Sequence, residues 1–230
     1  MDNDKRQERV SQAAQTALNL SHGVKNILQA IRGGRDVVDQ SLEMNDIARA
    51  KRGWEILDEN LDKIEKLVLD MLQFSKDSKL NIKRSDFNAV VGSAADSLRA
   101  GAQEEGKQIT VSVAKDIKPI EVDADRMYDV ILNLALNAVH AVPEGTGVVE
   151  IATEAKGETV ILSVSDNGPG VKDTESIFEP FHTTKAQVGT GLGLPIARKI
   201  VHQHGGTIEV KNQPRKGAVF TVTLPAKAHK

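Results

Sequence analysis

The chain has 230 residues, room for one large domain or two small ones. Thirty Lys and Arg against 32 Asp and Glu leave a formal net charge of -2, and aromatics make up 3% of the chain. That excludes both the basic footprint of a nucleic-acid binder and a base-stacking platform. The lack of cysteine excludes disulfides and thiolate metal sites. No apolar run approaches the roughly 20 residues that span a bilayer, and the opening MDNDKRQERV lacks the apolar stretch of a signal peptide. The expectation is a soluble, cytoplasmic chain with no nucleic-acid partner and no membrane contact from this segment.

Apolar residues then recur at Val10, Ala13, Ala17, Leu20, Val24, Ile27, Ile31 and Val38, the alternating three-and-four spacing of a heptad seam. A second run reads Ile47, Ala50, Trp54, Leu57, Leu61, Ile64, Val68 and Met71, and the short polar LEMND between them suits a turn. The pattern predicts an antiparallel helical hairpin over roughly residues 5–42 and 46–76. Two helices with so long an apolar face cannot bury it alone. Dimerisation into a four-helix bundle is expected, the alternative being a helical arm packed on its own C-terminal half.

After a polar linker (residues 75–88) running into a first strand, the period changes. DFNAVVGSAADSLRAGAQEEG reads as a helix capped by Asp86, and ITVSV as an alternating strand. DRMYDVILNLALNAVHAV reads as a helix apolar on most faces, hence buried. VVEIATEA, TVILSVSD, GGTIEV and AVFTVTLP read as strands, with the helix GLPIARKIVHQHG before the last pair. The fold class is therefore α+β: a helical hairpin over residues 1–78, then an α/β two-layer sandwich with a mixed sheet over residues 79–230.

Four motifs in this second half carry chemistry. In NLALNAVHAV, Asn133 and Asn137 share one helix face. Their carbonyl oxygens could hold a hard divalent cation with phosphate completing the shell, or the amides could simply bond neighbouring backbone. In DNGPG, Asp166 ends a strand and could accept from an exocyclic amine, with Gly168 and Gly170 clearing its path; the same residues also make an ordinary turn. IFEPFHTTK contains Lys185, able to reach a terminal phosphate as a point charge. GTGLGLPIARKIV opens a helix with a glycine run, whose free amides and dipole form a phosphate site.

NLALNA, DNGPG, IFEPFHTTK and GTGLGL follow one another in an order that closely resembles the ATP-binding domain of sensor histidine kinases, over residues 79–225. They are similar to its asparagine, first glycine, phenylalanine and second glycine boxes. The resemblance implies the ATP-binding sandwich shared with gyrase, Hsp90 and MutL ATPases, with helices covering one face of a mixed sheet. By position, it implies that Asp166 holds the adenine amino group and that Asn137 coordinates Mg²⁺ with Asn133 in support. Gly189, Gly191 and Gly193, with Thr190 and Leu192 between them, would face the ATP phosphates. His140 falls where many members carry a basic phosphate contact, and residues 168–189 would form a mobile lid.

LSHGVKNIL in the first half is similar to the family's phosphoacceptor box. His22, Lys25, Asn26 and Leu28 match, while Gly23 stands in place of the usual acid and Ile27 in place of the proline. On the heptad, His22 points away from the seam, exposed to a second domain or simply to solvent. His182 sits in the lid motif, and His202, His204 and His229 are expected at the surface. The reading is a homodimeric kinase core that phosphorylates His22 from ATP and passes the phosphoryl group to a response-regulator receiver domain. The alternatives are an ATP-binding pseudokinase scaffold and an ATP-hydrolysing clamp.

Overall fold

The computed structural model describes residues 2–75, 79–181, 190–213 and 217–227, with side chains from Leu18 onward except Asn19. It forms two compact units, Met1–Lys76 with Glu179–Gly193, and Asp77–Phe178 with Leu194–Lys230.

The first unit is a pair of helices, α1 (Asp2–Glu43) and α2 (Ile47–Ser75). The turn between them places Asn45 at φ 56°, and the Asp46 carboxylate caps α2 by accepting from the Arg49 amide at 3.0 Å. Leu20, Val24, Ile27, Ile31 and Val38 are half-buried, as the α1 seam predicts. On α2 the predicted seam is split, with Ala50, Leu57 and Ile64 half-buried. Gly53, Asn60 and Leu67 are buried, whereas Trp54, Leu61 and Val68 stay 64%, 55% and 50% exposed. Glycine decides this rotation. A Cβ on Gly34 would lie 3.0 Å from the Gly53 carbonyl oxygen, and one on Gly53 would lie 2.8 Å from Val38, so the backbones meet where both side chains are missing. The buried Asn60 and Ser41 answer their own helices, donating to Ile56 (2.7 Å) and Val37 (2.6 Å) carbonyls.

The second unit opens with β1 (Lys83–Ser85) and α3 (Phe87–Glu104), whose cap Asp86 accepts from the Ala89 amide as expected. There follow β2 (Gln108–Ser112), β3 (Ile120–Val122), α4 (Ala124–Ala141), β4 (Val148–Lys156) and β5 (Thr159–Asp166). After α5 (Gly193–Gln203) come β6 (Thr207–Gln213) and β7 (Gly217–Pro225). The five-stranded sheet runs β2-β4-β5-β7-β6, parallel at β2–β4 and antiparallel elsewhere, which makes it mixed. The β3 strand, antiparallel to β1, is an element beyond the sequence reading: three residues between Pro119 and the cap Asp123 are too few to show a period.

One sheet face is buried. Along β5, Val160, Leu162, Val164 and Asp166 alternate inward. Phe87, Val91, Met127, Ile131, Leu134, Ile151 and Leu224 fill the layer beneath the helices. His204 belongs to this interior at 6% exposure, correcting its expected surface position. Just past α5, its Nε2 accepts from the Asp123 amide at 3.0 Å and its Nδ1 donates to the Ile200 carbonyl at 2.8 Å. This pairing fixes the neutral tautomer, and burial pushes the imidazole pKa down. Among the described residues no helix is long and apolar enough to cross a membrane.

Candidate functional site

Period two puts the Asp166 carboxylate on the helix-covered face at the very end of β5, where it is 4% exposed. Burying a carboxylate is costly unless donors meet it. Its Oδ1 accepts from the Gly168 amide at 2.8 Å and from the Ala218 amide at 3.3 Å. Gly217, at φ 79°, completes the cradle: a Cβ there would overlap the Asp166 main-chain oxygen, its Oδ1 and the Gly168 nitrogen. The sequence reading missed Gly217 and Ala218, which stand about fifty residues downstream of the acid they support.

The loop after Asp166 is tied at successive points. Asn167 brackets the start of β4, its Oδ1 accepting from the Val148 amide (2.8 Å) and its Nδ2 donating to the Thr146 carbonyl (3.0 Å). Gly168 passes the end of α4 so closely that a Cβ would lie 2.7 Å from the Ala141 oxygen. Val171 is bonded on both sides by the Asn212 amide. Asp173 then caps the short 3-10 turn Ser176–Phe178, accepting from the Glu175 and Ser176 amides at 3.1 Å. Phe178 is buried edge-on against Phe220 at 6.4 Å, with the Arg198 guanidinium 5.4 Å over its ring. Side-chain and backbone contacts thus tie residues 168, 171, 173 and 178 within the first part of the expected 168–189 lid, and residues 182–189 lie outside the described residues.

Asn133 and Asn137 lie on α4 one turn apart and half-buried. Two carboxamide oxygens on one helix face suit a hard cation whose other ligands would be phosphate and water. Among the described residues no group of three or more His, Cys, Asp or Glu is arranged to hold a metal. His140 follows on the same helix, exposed. The Lys107 ammonium, with a smaller contribution from His140, holds the Glu105 carboxyl below its ordinary value.

In the first unit, His22 is exposed on α1, as the heptad implies, and a Cβ built on Gly23 meets no described atom within 4 Å. In that same unit the Thr190 hydroxyl donates to Asp70 of α2 at 2.7 Å, and the Gly191 carbonyl accepts from the Phe181 amide at 2.9 Å. Leu192 is fully buried, so whatever it offers a ligand comes from its backbone. Gly193 opens α5. Lys185, Gly189 and His182 lie outside the described residues.

Residues 122–228 match the family described as histidine kinase-, DNA gyrase B- and HSP90-like ATPase. The sensor histidine kinase ZraS of Salmonella typhi is 33% identical over 232 residues, covering 98% of this chain and 48% of its own length. The chain spans about half the length of the curated relatives it matches. The catalytic domain of histidine kinase ThkA superposes with a TM-score of 0.59 at 30% identity, covering 64% of this chain and 97% of that one. ThkA in complex with the response regulator protein TrrA gives a TM-score of 0.76 at 25% identity, covering 98% of this chain and 65% of that one.

Proposed function

The chain belongs to the sensor histidine kinase family, and from that premise we propose that it is an ATP-dependent protein histidine kinase core with His22 as phosphoacceptor. Residues 1–78 form the phosphotransfer hairpin and residues 79–230 the ATP-binding domain. The observation that carries the nucleotide half is Asp166, buried at a strand end in a cradle of amides and glycines. Held there, its carboxylate reads an adenine amino group with little reorganisation on binding. Asn137, supported by Asn133, would hold Mg²⁺, which would supply neutralisation of the phosphate charge. Gly189, Gly191 and Gly193, with Thr190 and Leu192 between them, would supply backbone amides to the phosphates. Lys185, together with His140 when protonated, adds positive charge.

The chemistry asked of the protein is positioning and charge neutralisation. A His22 ring nitrogen attacks the γ-phosphorus, an N–P bond forms as the bond to the ADP oxygen breaks, and the ring proton leaves to solvent. The phosphoryl group then passes to an aspartate oxygen of a response-regulator receiver domain, a reading supported by the complex of ThkA with the response regulator protein TrrA. The stripe of Ile47, Trp54, Leu61 and Val68, exposed on α2 at heptad spacing, supports a homodimer joined through the hairpins. Use of ATP and of a response regulator as partner supports a cytoplasmic location for this activity. Calorimetry with Mg²⁺ and ADP tests the site: Asp166→Ala and Asn137→Ala should each weaken binding strongly, and unchanged affinity in both would overturn the assignment.

A further inference from the structure

We propose that Asn212 is a positioning residue for the nucleotide site, clamping the far end of the loop that carries Asp166. The inference rests on the ATP-site reading and adds a residue to it. Asn212 lies on β6, the edge strand, and pairs with Ala218 of β7. Its side-chain amide treats Val171 as a strand partner would: Oδ1 accepts from the Val171 amide at 2.7 Å and Nδ2 donates to the Val171 carbonyl at 2.6 Å. The loop makes room for this. Gly170 stands at φ 78°, and a Cβ on it would lie 2.8 Å from Asn212 Oδ1, so any larger residue would force the clamp open.

The register joins this clamp to the nucleotide reader. Ala218, opposite Asn212, is the residue whose amide donates to Asp166 Oδ1. One rung of the β6–β7 ladder thus holds both ends of residues 166–171, Asp166 through the Ala218 backbone and Val171 through the Asn212 side chain. Asn167 pins the middle against β4. A loop fixed at three points is ordered before the ligand arrives, so binding does not bear the ordering entropy. Freeing Val171 transfers that entropy to the binding step. Because Asn212 is exposed, water competes for its two bonds and the effect is modest in size.

The test uses the full chain, a fluorescent ADP analogue with Mg²⁺, and the variants Asn212→Ala and Asn212→Ser. Asn212→Ala should speed amide exchange at Val171 without nucleotide, and should raise the nucleotide dissociation rate roughly 5- to 10-fold, the factor carried by about one net hydrogen bond. Asn212→Ser, whose hydroxyl can restore one of the two bonds, should fall between Asn212→Ala and the unmodified chain. Val171 exchange that does not respond to Asn212→Ala would overturn the clamp. So would a normal dissociation rate in a variant whose melting temperature alone falls, since that marks a structural role only. An unmodified chain that binds no nucleotide while Val171 exchange still responds would instead overturn the ATP-site reading beneath it.

Discussion

Gly217→Ala should damage nucleotide binding far more than its one methyl group suggests. The position has φ 79°, where an L side chain costs about 1–2 kcal/mol by itself. The added Cβ also overlaps Asp166 Oδ1 and the Gly168 nitrogen, so it displaces the carboxylate from the Gly168 amide at 2.8 Å and the Ala218 amide at 3.3 Å. Hydrogen bonds to a charged group contribute roughly 1.5–3 kcal/mol each, and losing the equivalent of one gives a total near 3 kcal/mol. For a chain of this size that is a fall of roughly 6–12 °C in melting temperature. Moving the adenine-reading carboxylate should also cost a bond of the same kind to the ligand, roughly 10- to 100-fold in affinity. Gly157→Ala is the matched control: it too has a positive φ, 62°, but its Cβ meets no described atom within 4 Å. Thermal melts and ADP calorimetry on both variants separate backbone strain from displacement of Asp166. Equal affinity losses in the two, or none in Gly217→Ala, would refute the cradle.

Three further outcomes follow from other parts of the fold. His204 has a native pKa below its ordinary 6.5, so its contribution is fully present above that pH and is lost as pH falls toward the native value, where the unfolded chain binds the extra proton; His204→Gln should flatten this part of the pH dependence in denaturant unfolding, and an unchanged slope would contradict it. Thr153, 7% exposed, donates to Asn88 Oδ1 at 2.9 Å and accepts from the Ala114 amide at 3.1 Å. Thr153→Val strands both partners and should cost about 1–3 kcal/mol in urea unfolding with nucleotide affinity intact. Gly23→Glu has open space among the described residues, should stabilise α1 by up to about 1 kcal/mol, and should speed autophosphorylation of His22 about 10-fold or more by restoring a base; equal labelling rates would show that another group already serves.

The hairpin and the order of the four boxes are legible in the sequence because both depend on local pattern: a heptad period, a cap at Asp86, glycines ahead of a helix. What escapes it depends on chain segments far apart. Gly217 and Asn212 carry no local sign of their role, since only the β6–β7 register and the return of β7 beside β5 bring them to Asp166 and Val171. His204 reads as a polar residue near the end of a helix and expected at the surface, yet it is buried with its Nε2 on the amide of the α4 cap Asp123. The closest approach of the two helices is also illegible, because the pattern weighs large apolar residues whereas the backbones meet at small ones, Gly34 and Gly53.

The central claim is that the γ-phosphoryl group of ATP reaches His22, and incubation with γ-labelled ATP and Mg²⁺ tests it most directly. The account predicts label on the protein that is labile in acid and stable in base, as an N–P bond requires, mapping to the peptide containing His22. It predicts no label in His22→Gln at unchanged helical content. Label persisting in that variant, or free phosphate released with none on the chain, would contradict it.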